Sequence, residues 1–122
     1  MDKVFAIVGC IAALMGVLAG AFAAHGLKNL MVPESLEVFQ TGVRYQIYHA
    51  LALLFVAWAI SRWEDSIFNI AGVSFILGIM LFTGSLYLLS LTGIKWLGFI
   101  TPVGGVAFIF GWLILAYGIY RS

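Results

Sequence analysis

The chain has 122 residues, 64% of them hydrophobic and only 9% charged, with a mean hydropathy of +1.13. A soluble domain of this size leaves much of its chain surface exposed, so such an apolar excess needs the bilayer as its solvent. A net charge of +1 with no basic block excludes nucleic acid and acidic polymers as partners.

Four apolar runs stand out, and the spacing predicts helices over about 4–24, 34–60, 67–91 and 96–120. Each is near the roughly 20 residues that cross about 30 Å of hydrocarbon. Without water to satisfy backbone groups, such runs must be helical. The fold class expected is therefore all-α: a four-transmembrane-helix antiparallel bundle forming one integral membrane domain over residues 1–122. The breaks carry most of the charge: Lys28, Glu34 and Glu37, then Arg62, Glu64 and Asp65, then Lys95.

The first run ends on Ala21-Phe-Ala-Ala24, a sequence that a signal peptidase accepts. The run is too long for a signal-peptide core, and Asp2 offsets Lys3 before it, so it is read as a retained helix. Ile7-Val-Gly-Cys10 resembles a lipobox, but too few residues precede it. Cys10, the single cysteine, forms no intramolecular disulfide and is expected to pack as a small hydrophobe. Gly9, Gly16 and Gly20 give this helix one smooth face, and such faces let backbones approach closely in lipid.

A polar linker follows, then Pro33 and Glu34, a proline and a carboxylate suited to the first turn of a helix. If that helix runs from 34 to 60 it is about 40 Å long, so its N-terminal extension must lie in the interface. Gly42 would allow a kink there. Ser61–Ser66 is a short loop in which Ser66 is positioned to cap the third helix and Trp63 lies at the interface. Short connections imply antiparallel neighbours. In the last run Gly104, Gly111 and Gly118 repeat the small-residue face, which makes helices one and four the expected closest pair. Lys3, Arg62 and Arg121 lie on the side of the termini, and Lys28, Arg44 and Lys95 lie on the other. Orientation by positive charge is thus a tie, unless Arg44 is drawn into the bundle.

The stretch Thr41-Gly-Val-Arg-Tyr-Gln-Ile-Tyr-His49 carries polar side chains into an apolar helix. At about 100° per residue Glu37, Thr41, Arg44, Tyr45 and Tyr48 share a face, with Gln40 beside Arg44. Glu37 is two turns from Arg44, so a direct pair is not expected without a bend at Gly42. Arg44 reads either as an interfacial anchor or as a site for an anionic headgroup or substrate. His25 and His49 are placed on the same side of the membrane, where two imidazoles could serve haem or a metal. No third ligand at suitable spacing supports that, and the alternative is a histidine bonded to Tyr, Thr or a carbonyl. Thr83, Ser85, Tyr87, Ser90 and Thr101 are hydroxyls of the kind that bond helix backbones or neighbouring helices. No nucleophile with a base and an orienting group can be assembled.

Four motifs, Gly20-Ala-Phe-Ala-Ala-His-Gly-Leu27, Thr41 to His49, Phe82-Thr-Gly-Ser-Leu-Tyr87 and Ile100-Thr-Pro-Val-Gly-Gly105 with Gly111-Trp112, resemble the family called domain of unknown function 423. That family is a group of small bacterial membrane proteins with a eukaryotic transmembrane relative. Ala23 and Thr83 depart mildly from its pattern. The resemblance implies a four-helix protein of the bacterial plasma membrane, multi-pass, and brings no activity, so His25, Arg44, Tyr45, Gln46, Tyr48 and His49 are motif positions without assigned roles. The expectation is a non-enzymatic membrane protein with no cofactor and no metal. Its polar cluster organises the bundle or binds a lipid headgroup or partner, and it could be a homo-oligomer. The alternatives are a small oligomeric transporter or channel, and a haem or quinone protein using His25 and His49.

Overall fold

A computed structural model describes residues 2–122. Helix α1 spans Asp2–His25 and a single 3-10 turn, Leu27–Asn29, follows it. Helix α2 is Pro33–Trp63; α3 is Ile67–Gly78, which passes through a π-helical turn at Ile79–Thr83 directly into α4, Gly84–Thr92. A 3-10 segment, Lys95–Phe99, leads into α5, Thr101–Arg121. The described residues contain no strand. Taken as continuous rods, these elements make four helices long and apolar enough to cross a membrane, a four-helix membrane bundle.

The sequence accounts for the boundaries. Pro33 occupies the first turn of α2, where its missing N–H is least costly. The helix then runs 31 residues without a break. Gly42 does not interrupt it: a Cβ there would lie 2.9 Å from the Tyr87 ring, so this glycine makes room for α4. Helix α2 ends where Glu64 turns left-handed at φ 52°, and α4 ends the same way at Gly93, φ 72°. Ser66 does not cap α3 with its side chain. Asp65 does so instead, its Oδ1 accepting from the Ile67 N–H at 3.0 Å. The same carboxylate receives a two-pronged bond from Arg121 at 2.7 and 2.8 Å. Bonding to Arg121 first, and to the Ile67 N–H second, holds the Asp65 carboxyl down at about 2.

Helix α2 and the α3–α4 rod form the centre. Phe5, Leu53, Val56, Phe68 and Phe75 fill the core between them at 1% exposure or less, and the Phe5 ring from α1 sits over Gly72 of α3. Helix α1 packs along α2, and α5 packs along α3 and the π turn. This corrects the expectation that the first and last helices pair most closely. Both have a smooth face, but each turns it to a different partner. On α1, Gly16 faces Ile47, Gly20 faces Val43, and Gly9 faces the Ala50 carbonyl and Leu53. On α5, Gly104 meets the Phe82 backbone, Gly111 meets Phe75 and Ser74, and Gly118 meets Ile67 and Phe68. Small residues allow close approach but do not name the neighbour. The outer face of α1, including Val4, Ile7, Ile11, Leu14 and Leu18, is exposed, as bilayer contact requires. Cys10 is on that exposed surface as well and does not pack inside.

Candidate functional site: polar side chains within the bundle

The antiparallel pairings of Gly16 with Ile47 and Gly20 with Val43 set the register of α1 against α2. In that register His49 is level with Leu14, near the middle of α1. Its own neighbours are on the other flank of α2: Trp112 and Phe108, near the middle of α5, and Phe75 of α3. His49 is therefore at mid-membrane depth, deeper than its sequence position suggests.

Its imidazole is buried at 4% exposure and lies flat on the Phe108 ring, with centroids 3.6 Å apart and planes 10° apart. Trp112 donates its indole N–H to Nε2 at 3.0 Å. An indole nitrogen can only donate, so Nε2 carries no proton, Nδ1 does, and Nδ1 donates to the Tyr45 carbonyl at 2.8 Å. Both ring nitrogens of the neutral imidazole are thus engaged within the bundle. His25, by contrast, is exposed at the end of α1 and level with Val38. The two histidines are eleven residues apart in register, about 16 Å along the axis at 1.5 Å per residue. The fold does not bring them together.

A second network ties three helices on the opposite side of α2. Gln46, 6% exposed, donates from Nε2 to the Ala12 carbonyl of α1 at 2.8 Å. Its Oε1 accepts from the Tyr87 hydroxyl of α4 at 2.7 Å. Gly16 makes this reach possible, since a Cβ there would lie 3.6 Å from Gln46 Cγ and 2.8 Å from Ile47 Cγ1. A third link joins α4 to α5, where the hydroxyls of Ser85 and Thr101 are 2.6 Å apart. Thr101 also stands at the first position of α5, beside Pro102.

Arg44 remains outside. Its Nη2 donates to Glu37 Oε1 at 3.0 Å and to Thr41 Oγ1 at 3.0 Å, with the Arg44 and Glu37 side chains 46% and 65% exposed. The direct pair expected only with a bend forms on an unbroken helix. Seven residues are nearly two full turns, so both side chains leave the same face, and each is long enough to cover half the gap. Because Arg44 is not drawn into the bundle, the count of basic residues on the two sides stays tied. Gln40 is half-buried, while Tyr45 and Tyr48 are exposed on the flank of α2.

Two grooves open towards lipid on either side of α2. One, of about 470 Å³, lies between α2 and α5, below Tyr48 and Trp112. The other, of about 350 Å³, lies between α1 and the π turn, with Gln46, Thr83, Gly84 and Tyr87 in its lining. Sequence reasoning missed three contacts: the partner of His49, the Ala12 carbonyl, and the Asp65–Arg121 clamp. The clamp could have been found, since both residues fall at the same end of antiparallel helices. The others depend on which helix neighbours which.

Four long apolar helices joined by internal polar links define a small multi-pass integral membrane protein. Residues 19–105 match the family model described as Protein of unknown function (DUF423), and the chain belongs to that family. It is 48% identical over 114 residues to the UPF0382 membrane protein YwdK of Bacillus subtilis, covering 93% of each chain. It is 45% identical over 119 residues to the UPF0382 membrane protein SSP2132 of Staphylococcus saprophyticus, covering 98% of each. The UPF0382 inner membrane protein YgdD of Escherichia coli is 40% identical over 115 residues, covering 94% of this chain and 88% of that one. No solved structure shows significant similarity.

Proposed function

We propose that this chain is a non-catalytic protein of the bacterial plasma membrane that holds an anionic lipid headgroup at the Glu37–Thr41–Arg44 face of α2. The observation that carries this reading is the half-exposed Arg44 guanidinium, of which only Nη2 is engaged among the described residues. Nε and Nη1 keep free donors suited to a phosphate oxygen. Glu37 and Thr41 fix one edge of the guanidinium and so orient the other. Lys28 and Lys95 belong to the same end of the bundle and add to its attraction for anionic lipid. The internal bonds of His49 and Gln46 act as joints between helices.

Native mass spectrometry of protein extracted from bacterial membranes tests the proposal. Wild type is expected to retain phosphatidylglycerol or cardiolipin over phosphatidylethanolamine, and Arg44→Gln to lose that preference with an unchanged Tm. Equal retention by the two proteins would overturn it.

A further inference from the structure

The groove between α1 and the π turn has three features that packing leaves unexplained. Thr83 is 2% exposed, yet its hydroxyl has no hydrogen-bond partner among the described residues. A threonine in a membrane helix normally donates to the carbonyl four residues earlier. That carbonyl, of Ile79, receives the Gly84 N–H in the π turn. Ser74, Ser85, Ser90 and Thr92 all bond to their own helix, so Thr83 is the exception among the hydroxyls of this rod; Asn69 Oδ1, nearer the other end, is the second buried side-chain atom without a partner among the described residues.

Gly84 is the second feature. A Cβ there would meet nothing within 4 Å, whereas Gly9, Gly16 and Gly104 are each pressed against a neighbour. Glycine in a helix interior is unfavourable relative to alanine, and here no contact with the described residues explains its presence. The space that it leaves is part of the groove. The third feature is Gln46: Nε2 uses one hydrogen on Ala12 and has a second, while Oε1 is occupied by Tyr87. Thr83 and Gln46 both belong to the lining of the groove, so the polar groups left in reserve beside it are donors, the enclosed Thr83 O–H and the Gln46 N–H. Apart from the Tyr87 hydroxyl, which is already donated to Gln46, the rest of its lining is apolar, and none of its residues is ionisable near neutral pH.

We infer that this groove is a binding site for a neutral, membrane-dissolved amphiphile whose polar end carries a carbonyl oxygen. Uncompensated charge at this depth is expensive, so a neutral head is selected. A head that accepts hydrogen bonds satisfies Thr83 and Gln46, and a chain-like body lies along Val8, Ile11 and Met15 of α1. An isoprenoid quinone and a diacylglycerol share this chemistry. π turns inserted into α-helices are found frequently at functional sites of many kinds. The site is independent of the Arg44 face and uses neither histidine.

The test uses the full chain in lipid nanodiscs with two photoreactive probes, a diazirine analogue of decylubiquinone and one of a short-chain diacylglycerol. Cross-links are mapped by peptide mass spectrometry. Labelling is expected on residues 8–15 and 79–87 and is expected to be displaced by excess unlabelled ligand. Displacement by the quinone alone or by the diacylglycerol alone supports the site and names its occupant. Gly84→Leu starts from a Cβ that meets no neighbour within 4 Å, projects a side chain into the open space and should abolish displaceable labelling. Thr83→Val, nearly isosteric, should weaken it about five- to tenfold, the loss of one hydrogen bond. Because it removes an unpaired hydroxyl, Thr83→Val should leave Tm equal to or above wild type. Arg44→Gln should leave labelling unchanged. Labelling that neither unlabelled ligand displaces, or that survives Gly84→Leu at full strength, would overturn the inference.

Discussion

Helices α1 and α5 both approach the centre of the bundle with a stripe of glycines, and both are joined to α2 by a side-chain hydrogen bond, yet the two joints are built differently. At the α1–α2 seam the backbones come close, and Gln46 bonds directly to a main-chain carbonyl. Between α2 and α5 the gap is filled by rings: Phe108 beneath His49, Trp112 at its edge, and Tyr45 packed on Phe82. The glycines of α5 are spent on the α3–α4 rod instead. In this bundle the tight seam is governed by backbone clearance, and the wide one by hydrogen bonds and ring packing.

The largest effect is expected where clearance is smallest. A Cβ at Gly104 would press on the backbone of Phe82, while one at Gly105 would find ordinary contact with the Phe82 ring at 3.8 Å. Gly104→Ala should therefore destabilise by about 1–3 kcal/mol, the range for overpacking. Gly105→Ala should be neutral or slightly stabilising, since it only raises helix propensity. Thermal unfolding of both variants in detergent decides the matter, and equal Tm values would show that the seam yields.

A smaller effect is expected at the wide joint. Trp112→Phe keeps the ring and removes the donor to His49 Nε2, leaving that nitrogen unpaired in a buried place. The expected loss is about 1–2 kcal/mol, read as a fall in Tm together with faster exchange of the α5 amides. No change would mean that stacking on Phe108 alone holds the joint.

The smallest effect belongs to the Asp65–Arg121 clamp at the bundle end. The ordinary carboxyl value is 3.8 and the folded one is about 2. A depressed folded value means that the stabilisation is complete above about pH 4 and fades as the pH falls towards 2. Wild type should thus exceed Asp65→Asn in Tm at neutral pH, and the difference should shrink in acid through that window. A difference that stays constant with pH would show that the charge of the Asp65 carboxylate contributes nothing to it.

Much of this was legible in the residues themselves. The four spans, the proline start of α2 and the smooth faces of α1 and α5 follow from local composition and period, which act within one helix. The pairing of those faces did not, because glycine stripes on α1 and α5 are interchangeable until Phe5, Ile47, Phe75 and Phe82 decide where bulk must fit. The polar stretch from Thr41 to His49 was visible as unusual. Its division into an outward Arg44 and two inward groups pointing to opposite sides depends on α2 being central, with neighbours on both flanks. The π turn had no sequence signal at all: Ile79–Thr83 reads as ordinary apolar helix, and the extra residue shows only against α2 and α5.

That extra residue also sets the aim of everything after it. A π turn accommodates one residue more than a regular α-helix would, and one residue is about 100° of rotation. Met80 faces outward at 65% exposure, so its removal would leave a continuous, equally apolar rod of nearly the same length. Such a rod would present the wrong side of α4, with Tyr87 turned from Gln46 and Ser85 turned from Thr101. The phase of a helix, and not its hydrophobicity or length, is what makes this segment fit its neighbours.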